Sequence, residues 1–173
     1  MPIFAKNLTT EMEKKTHTYT ESEAYSRLTA LCARSELCRS DAMQRLNRWQ
    51  VTDATAEKVV ARLVKERYID EERFAHAFAN DKFRYNHWGS IKIALELKRR
   101  RIPQDCIDKA LANIDEGENL EKLQEIIRKK RPSVRGKNDY EIRGKLIRYA
   151  AGKGFPIDEV VKVVDSLENW NDE

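Results

Sequence analysis

Apolar residues recur along this chain at helical spacing. Ala24–Arg34, Ala42–Trp49 and Ala56–Arg67 each carry an apolar stripe among good helix formers, and each is predicted to be an α-helix. All six glycines fall at or after Gly89, and the only proline before residue 103 is Pro2. The first half therefore lacks the breakers that tightly turned sheets need. Asp53 and Asp70 stand where helix N-caps are expected, and the hydroxyls of Ser40 and Ser90 can do the same job. Residues 1–21 show no apolar period and are predicted to be a flexible tail.

The apolar pattern also repeats over a longer distance. With Leu46, Leu97 and Ala150 aligned, the residues five positions on are Val51, Ile102 and Phe155. Ala56, Ile107 and Val160 follow, then Val59, Ala110 and Val163, then Val60, Leu111 and Val164, and finally Leu63, Ile114 and Leu167. Four residues before the anchor stand Ala42, Ile93 and Leu146. These offsets contain the stripe of one helix face. Pro103 and Pro156 fall in register near a helix start, where a missing N–H costs little. Each unit ends in two helices joined by a short turn, with a further helix before the pair at roughly 22–35, 71–85 and 118–130. The predicted fold is all-α: an elongated array of three tandem three-helix repeats, 22–69, 70–116 and 117–173, the last with an acidic end.

Charged residues make up 36% of the chain yet nearly cancel, leaving a net charge of +4. That near-neutrality hides segregation. Residues 84–101 hold Arg84, Lys92, Lys98, Arg99, Arg100 and Arg101 against Glu96 alone, and residues 128–153 hold ten basic residues against Asp139 and Glu141. Residues 154–173 carry six acids against Lys162. Cations at helix C-termini complement the helix dipole by roughly 0.3–1 kcal/mol each, which accounts for part of both basic runs. Two such runs together also fit a polyanion or an acidic protein surface. The candidate contact residues are Arg84, Lys92, Lys98, Arg99 and Arg100 in the middle unit, and Lys129, Lys130, Arg143, Lys145 and Arg148 in the third.

Chemistry is sparse by comparison. Gly152-Lys153-Gly154 lacks the spacing of a phosphate-binding loop. Asp70, Glu71 and Glu72 form a carboxylate cluster that a metal nuclease could use, but acids opening a helix cap it and complement its dipole. Cys32, Cys38 and Cys106 have no metal-ligand spacing, and His17, His76 and His87 are scattered, so no metal site, catalytic residue or cofactor is expected. Phe74 and Phe78 read as core. Tyr85 and Trp88 also read as core, with base stacking as the alternative. No apolar run is long enough to span a membrane and no secretory signal is visible, so a cytoplasmic monomer with reduced thiols is expected.

The segment Tyr68-Ile69-Asp70-Glu71-Glu72-Arg73-Phe74-Ala75 resembles a signature of the RecX family, regulators of the RecA recombinase. Trp88-Gly89, Lys92-Ile93 and Glu96-Leu97, followed by Ile102, are similar to its second signature, with Arg101 where the family usually has a turn glycine. Arg34–Leu37, Cys38 to Leu46, and Gly152–Phe155 resemble the corresponding stretches of the outer repeats. The resemblance spans about 22–168. It implies a helical array without catalytic site or cofactor that binds the RecA–DNA filament and suppresses its ATP hydrolysis, strand exchange and co-protease activity in recombination, DNA repair and the SOS response. It also implies that single- or double-stranded DNA is a partner of some members. The alternative from the residues alone is a stand-alone helical-repeat protein that binds nucleic acid by phosphate contacts, without a recombinase partner.

Overall fold

The computed structural model describes residues 19–168. Residues 1–18, most of the expected tail, and residues 169–173, the end of the acidic stretch, lie outside the described residues. The helices are α1 (Glu21–Cys32), α2 (Arg39–Arg48), α3 (Asp53–Lys65), α4 (Glu71–Arg84), α5 (Ser90–Arg99), α6 (Gln104–Ala112), α7 (Glu116–Lys130), α8 (Asp139–Gly152) and α9 (Ile157–Glu168). A 3-10 turn, Arg131–Ser133, follows α7, and no strand occurs among the described residues. The protein is an all-helical array of three-helix units.

Each unit closes over its own core. Leu28, Leu46, Val59 and Leu63 anchor the first, Phe74, Ile93, Leu97 and Ile107 the second, and Leu123, Ile127, Phe155 and Val160 the third. The aligned apolar positions Ala42, Ile93 and Leu146, and Leu46, Leu97 and Ala150, are all buried. One turn joins the second and third helices in every unit. Val51, Ile102 and Phe155 donate their N–H groups back to Leu46, Leu97 and Ala150, at 3.1, 3.1 and 3.4 Å. Gln50, Arg101 and Gly154 donate to Asn47, Lys98 and Ala151. This pair of bonds is the Schellman motif, and its hydrophobic contact joins the same residues that set the repeat register.

The motif requires left-handed backbone at one position, and φ is +58° at Gln50, +59° at Arg101 and +93° at Gly154. Two non-glycine residues therefore occupy a conformation that L-residues disfavour by roughly 1–2 kcal/mol.

Cap positions depart slightly from expectation. Asp70 caps α4 as predicted, its carboxylate accepting from the Arg73 N–H at 3.0 Å. Thr52 caps α3 in place of Asp53, and Cys38 caps α2 in place of Ser40. In both cases the extended backbone ends earlier, so the Thr52 hydroxyl and the Cys38 sulfur reach the third helical N–H. Gly89, not Ser90, precedes α5, and it offers no side-chain cap. Burial raises the thiol pKa values of all three cysteines, that of Cys38 to about 12, so the thiols stay protonated at neutral pH.

Replacing Arg101 by glycine removes the steric cost of its positive φ. The R101G variant is expected to gain about 1 kcal/mol, read as a higher midpoint in urea with an unchanged slope.

Candidate interface: a basic seam between the second and third repeats

The N-terminus of a helix leaves backbone N–H groups without partners inside the helix. In α2 and α5 the next repeat supplies acceptors for them. The Arg39 N–H at the start of α2 donates to Glu71 Oε1 of α4 at 2.9 Å. The Gly89 N–H donates to the Lys153 carbonyl at 2.9 Å, and the Ile91 N–H to the Gly154 carbonyl at 3.0 Å. Cys38 and Gly89 are one repeat apart, so both junctions form at the same place in the unit.

The two junctions differ in chemistry. Between repeats one and two, side chains do the joining. Cys38 lies in the second core, Arg73 binds Glu36 at 2.6 Å, and Arg100 approaches Asp41 at 3.8 Å. The guanidinium of Arg73 also donates to the carbonyls of Arg67 and Tyr68. Within the second repeat, Glu72 pairs with Lys109 at 2.7 Å. The Asp70–Arg73 signature thus caps, docks and braces. Desolvation raises the pKa of Glu71, whose Oε2 is buried with no protein partner among the described residues.

Between repeats two and three, backbone meets backbone. A Cβ on Gly89 would lie 2.3 Å from the Gly154 carbonyl oxygen, and one on Gly154 would lie 2.3 Å from Lys92 Cβ. The crowding that excludes a side chain at Gly89 comes from the neighbouring repeat.

On both sides of this close approach lysines sit over aromatic rings, each ring taking lysines of its own repeat. Lys92 Nζ stands 4.5 Å from the Trp88 ring centre and Lys82 Nζ 5.9 Å from it. Lys130 and Lys153 flank Tyr149 at 5.3 and 5.8 Å. Trp88 packs edge-on against Phe78, which in turn stacks on Phe74, as expected for core aromatics. Tyr85 does not join them: it is 77% exposed, because it follows the last residue of α4 and faces away from the core. His87 lies in the seam with positive φ and a buried Nδ1 lacking a protein partner among the described residues. Burial first, then the charges of Lys122, Lys129 and Lys153, push its imidazole below the ordinary value, against the opposing pull of Glu125.

The ten residues singled out from the sequence divide by their surroundings. Lys92 and Lys130 belong to the seam. Arg84, Lys98 and Arg148 are exposed. Arg99 and Arg100 both reach Glu96, and Arg100 also stacks over Phe78 at 4.9 Å. Lys129 pairs with Glu125, which also binds Lys122 and whose pKa is drawn down to about 2 by these two bonds. Arg143 makes a two-pronged pair with Asp165 at 2.6 and 3.0 Å, and Lys145 donates to the Arg135 carbonyl at 2.6 Å. Lys82 and Lys153 were not among the ten. Lys153 closes the basic run 128–153, whereas Lys82 lies outside both basic runs and its only signal is proximity to Trp88.

The fold defines a class: a tandem three-helix repeat protein with a lysine-rich seam. Two family models match it, described as the second three-helix domain of RecX over residues 70–111 and the third over residues 116–164, together more than half of the chain. The chain belongs to the RecX family. The Regulatory protein RecX of Leuconostoc mesenteroides is 25% identical over 130 residues, which cover 75% of this chain and 49% of that protein. That of Clostridium beijerinckii is 27% identical, covering 89% and 74%, and that of Chlorobium phaeobacteroides 25%, covering 85% and 95%. The chain thus spans from about half to nearly all of these relatives. The crystal structure of RecX from Lactobacillus salivarius superposes with a TM-score of 0.73 at 16% identity, covering 86% of this chain and 96% of that one, a likeness of fold.

Two outcomes follow for the seam. In the G89A variant the new methyl group has only backbone to displace, so the third repeat loosens; amide exchange in α8 and α9 is expected to accelerate while α1–α3 keep their protection. In the wild-type chain, proton NMR should place the His87 pKa below 6.5, and a polyanion seated on the seam should raise it, because negative charge favours the imidazolium form.

Proposed function

We propose that this protein is a non-catalytic regulator, mainly negative, of the RecA recombinase. It binds the RecA–DNA filament in the cytoplasm and lowers its ATP hydrolysis, strand exchange and co-protease activity. The observation that carries the reading is the lysine seam, in which Trp88 with its lysines in the second repeat and Tyr149 with its lysines in the third stand on either side of the Gly89–Lys153 and Ile91–Gly154 hydrogen bonds. Lys92, Lys130 and Lys153 lie half-buried over aromatic faces, an arrangement suited to phosphates or clustered carboxylates, while Lys82, also near Trp88, is paired with Asp81 at 2.8 Å. Exposed Arg84, Lys98 and Arg148 extend the positive field.

The third helices of the second and third repeats argue against reading base sequence in a DNA groove. Their outer faces carry exposed Asp105 and Asp108 on α6, and exposed Asp158 on α9. Such faces repel phosphate, so nucleic acid would be met through its backbone at the seam. Several weak contacts along an array add through effective concentration, which fits a filament better than a single small target.

The test is ATP hydrolysis by RecA on saturating single-stranded DNA, with this protein titrated in. Inhibition below one copy per recombinase monomer is the expected result. Reversing three seam charges together (K92E, K130E and K153E) should raise the half-inhibitory concentration on the order of tenfold or more and flatten its salt dependence, with helicity unchanged. Salt-sensitive DNA binding without any inhibition would favour the stand-alone nucleic-acid-binding reading.

A further inference from the structure

The outer face of α5 carries an apolar pair that packs into none of the three cores among the described residues. Ile91 is 57% exposed and Leu95 48%, and one helical turn separates them. Lys98 and Arg99 continue the same face and are exposed at the C-terminal end of the helix. Single exposed aliphatic residues are ordinary on protein surfaces. The repeat itself shows that this pair is not ordinary. The equivalents of Ile91 and Leu95 in the first unit are Ser40 and Gln44, and in the third Gly144 and Arg148. All three units share the buried face of this helix, so packing within a unit does not call for apolar residues at these two places. Only the middle repeat has them.

We infer that this face of α5 docks a protein, specifically a surface of apolar residues bordered at one end by carboxylates. The complementarity has two parts along a span of about 12 Å. Ile91 and Leu95 offer no donor to a phosphate, so they contribute nothing to a DNA backbone. Against another protein's apolar residues they lose water-exposed area. Lys98 fixes the direction of docking by pairing with an acid beyond the apolar patch, whereas Arg99 beside it is already held by Glu96. The inference rests on the filament reading above only for the partner's identity, and it divides the labour within it: α5 meets the recombinase protein, while the seam between repeats two and three meets phosphate or dense negative charge.

The experiment grafts the first repeat's face onto the second with I91S and L95Q together. Both sites are exposed, so circular dichroism and the melting temperature should match the wild type; L95Q alone serves if the double variant melts early. Affinity for RecA filaments on single-stranded DNA is expected to fall about tenfold or more, with affinity for the same DNA without RecA unchanged. The residual filament binding should also depend more steeply on salt. Unchanged filament affinity overturns the inference, and so does an equal loss toward DNA alone. A concentration-dependent dimer of the wild-type chain that the graft abolishes also overturns it, by assigning the face to a second copy. A wild-type chain that binds DNA but not RecA filaments overturns the function proposed above, and this docking partner with it.

Discussion

The array depends on how the second helix of one unit has its first N–H groups satisfied by the unit that follows. An exposed helix start can use water or its own cap. Here Arg39 and Gly89 begin their helices against a neighbour, and the neighbour provides the acceptor: a carboxylate from Glu71 in one case, the carbonyls of Lys153 and Gly154 in the other. The hydrogen bonds fix both distance and direction. With that constraint met, three small cores that share few side chains become one structure, and lysines far apart in sequence acquire a common surface.

The repeat register was legible because it is written in buried apolar side chains, which recur wherever the same helices pack. The Schellman turn was legible in part. Gly154 pointed to it, whereas Gln50 and Arg101 hid the same backbone conformation behind residues that seldom adopt it. Helix caps were placed within two residues, since several short polar side chains compete for one position and only the backbone path decides among them.

The basic seam was harder to see. Lys92, Lys130 and Lys153 lie in the basic runs, but Lys82 lies outside them, and the place of Lys153 beside Gly89 comes from contact between two turns of the main chain. Peptide groups touching peptide groups leave no pattern of residue types apart from the missing Cβ atoms of Gly89 and Gly154. Charge density also over-counted. Arg100 and Arg143 looked alike on paper to Lys98 and Arg148, yet the first two are held by Asp41, Glu96 and Asp165 within the chain.

The positive-φ position of the turn has a consequence for how such arrays can change. Arg101 is tolerated because side chains, not peptide groups, join the first and second units, whereas Gly154 faces Lys92 at a distance no Cβ could occupy. The three units are therefore built alike but are not interchangeable parts. Duplicating the middle unit in place of the third would set an arginine where only hydrogen fits. The order of the units is written into their joints.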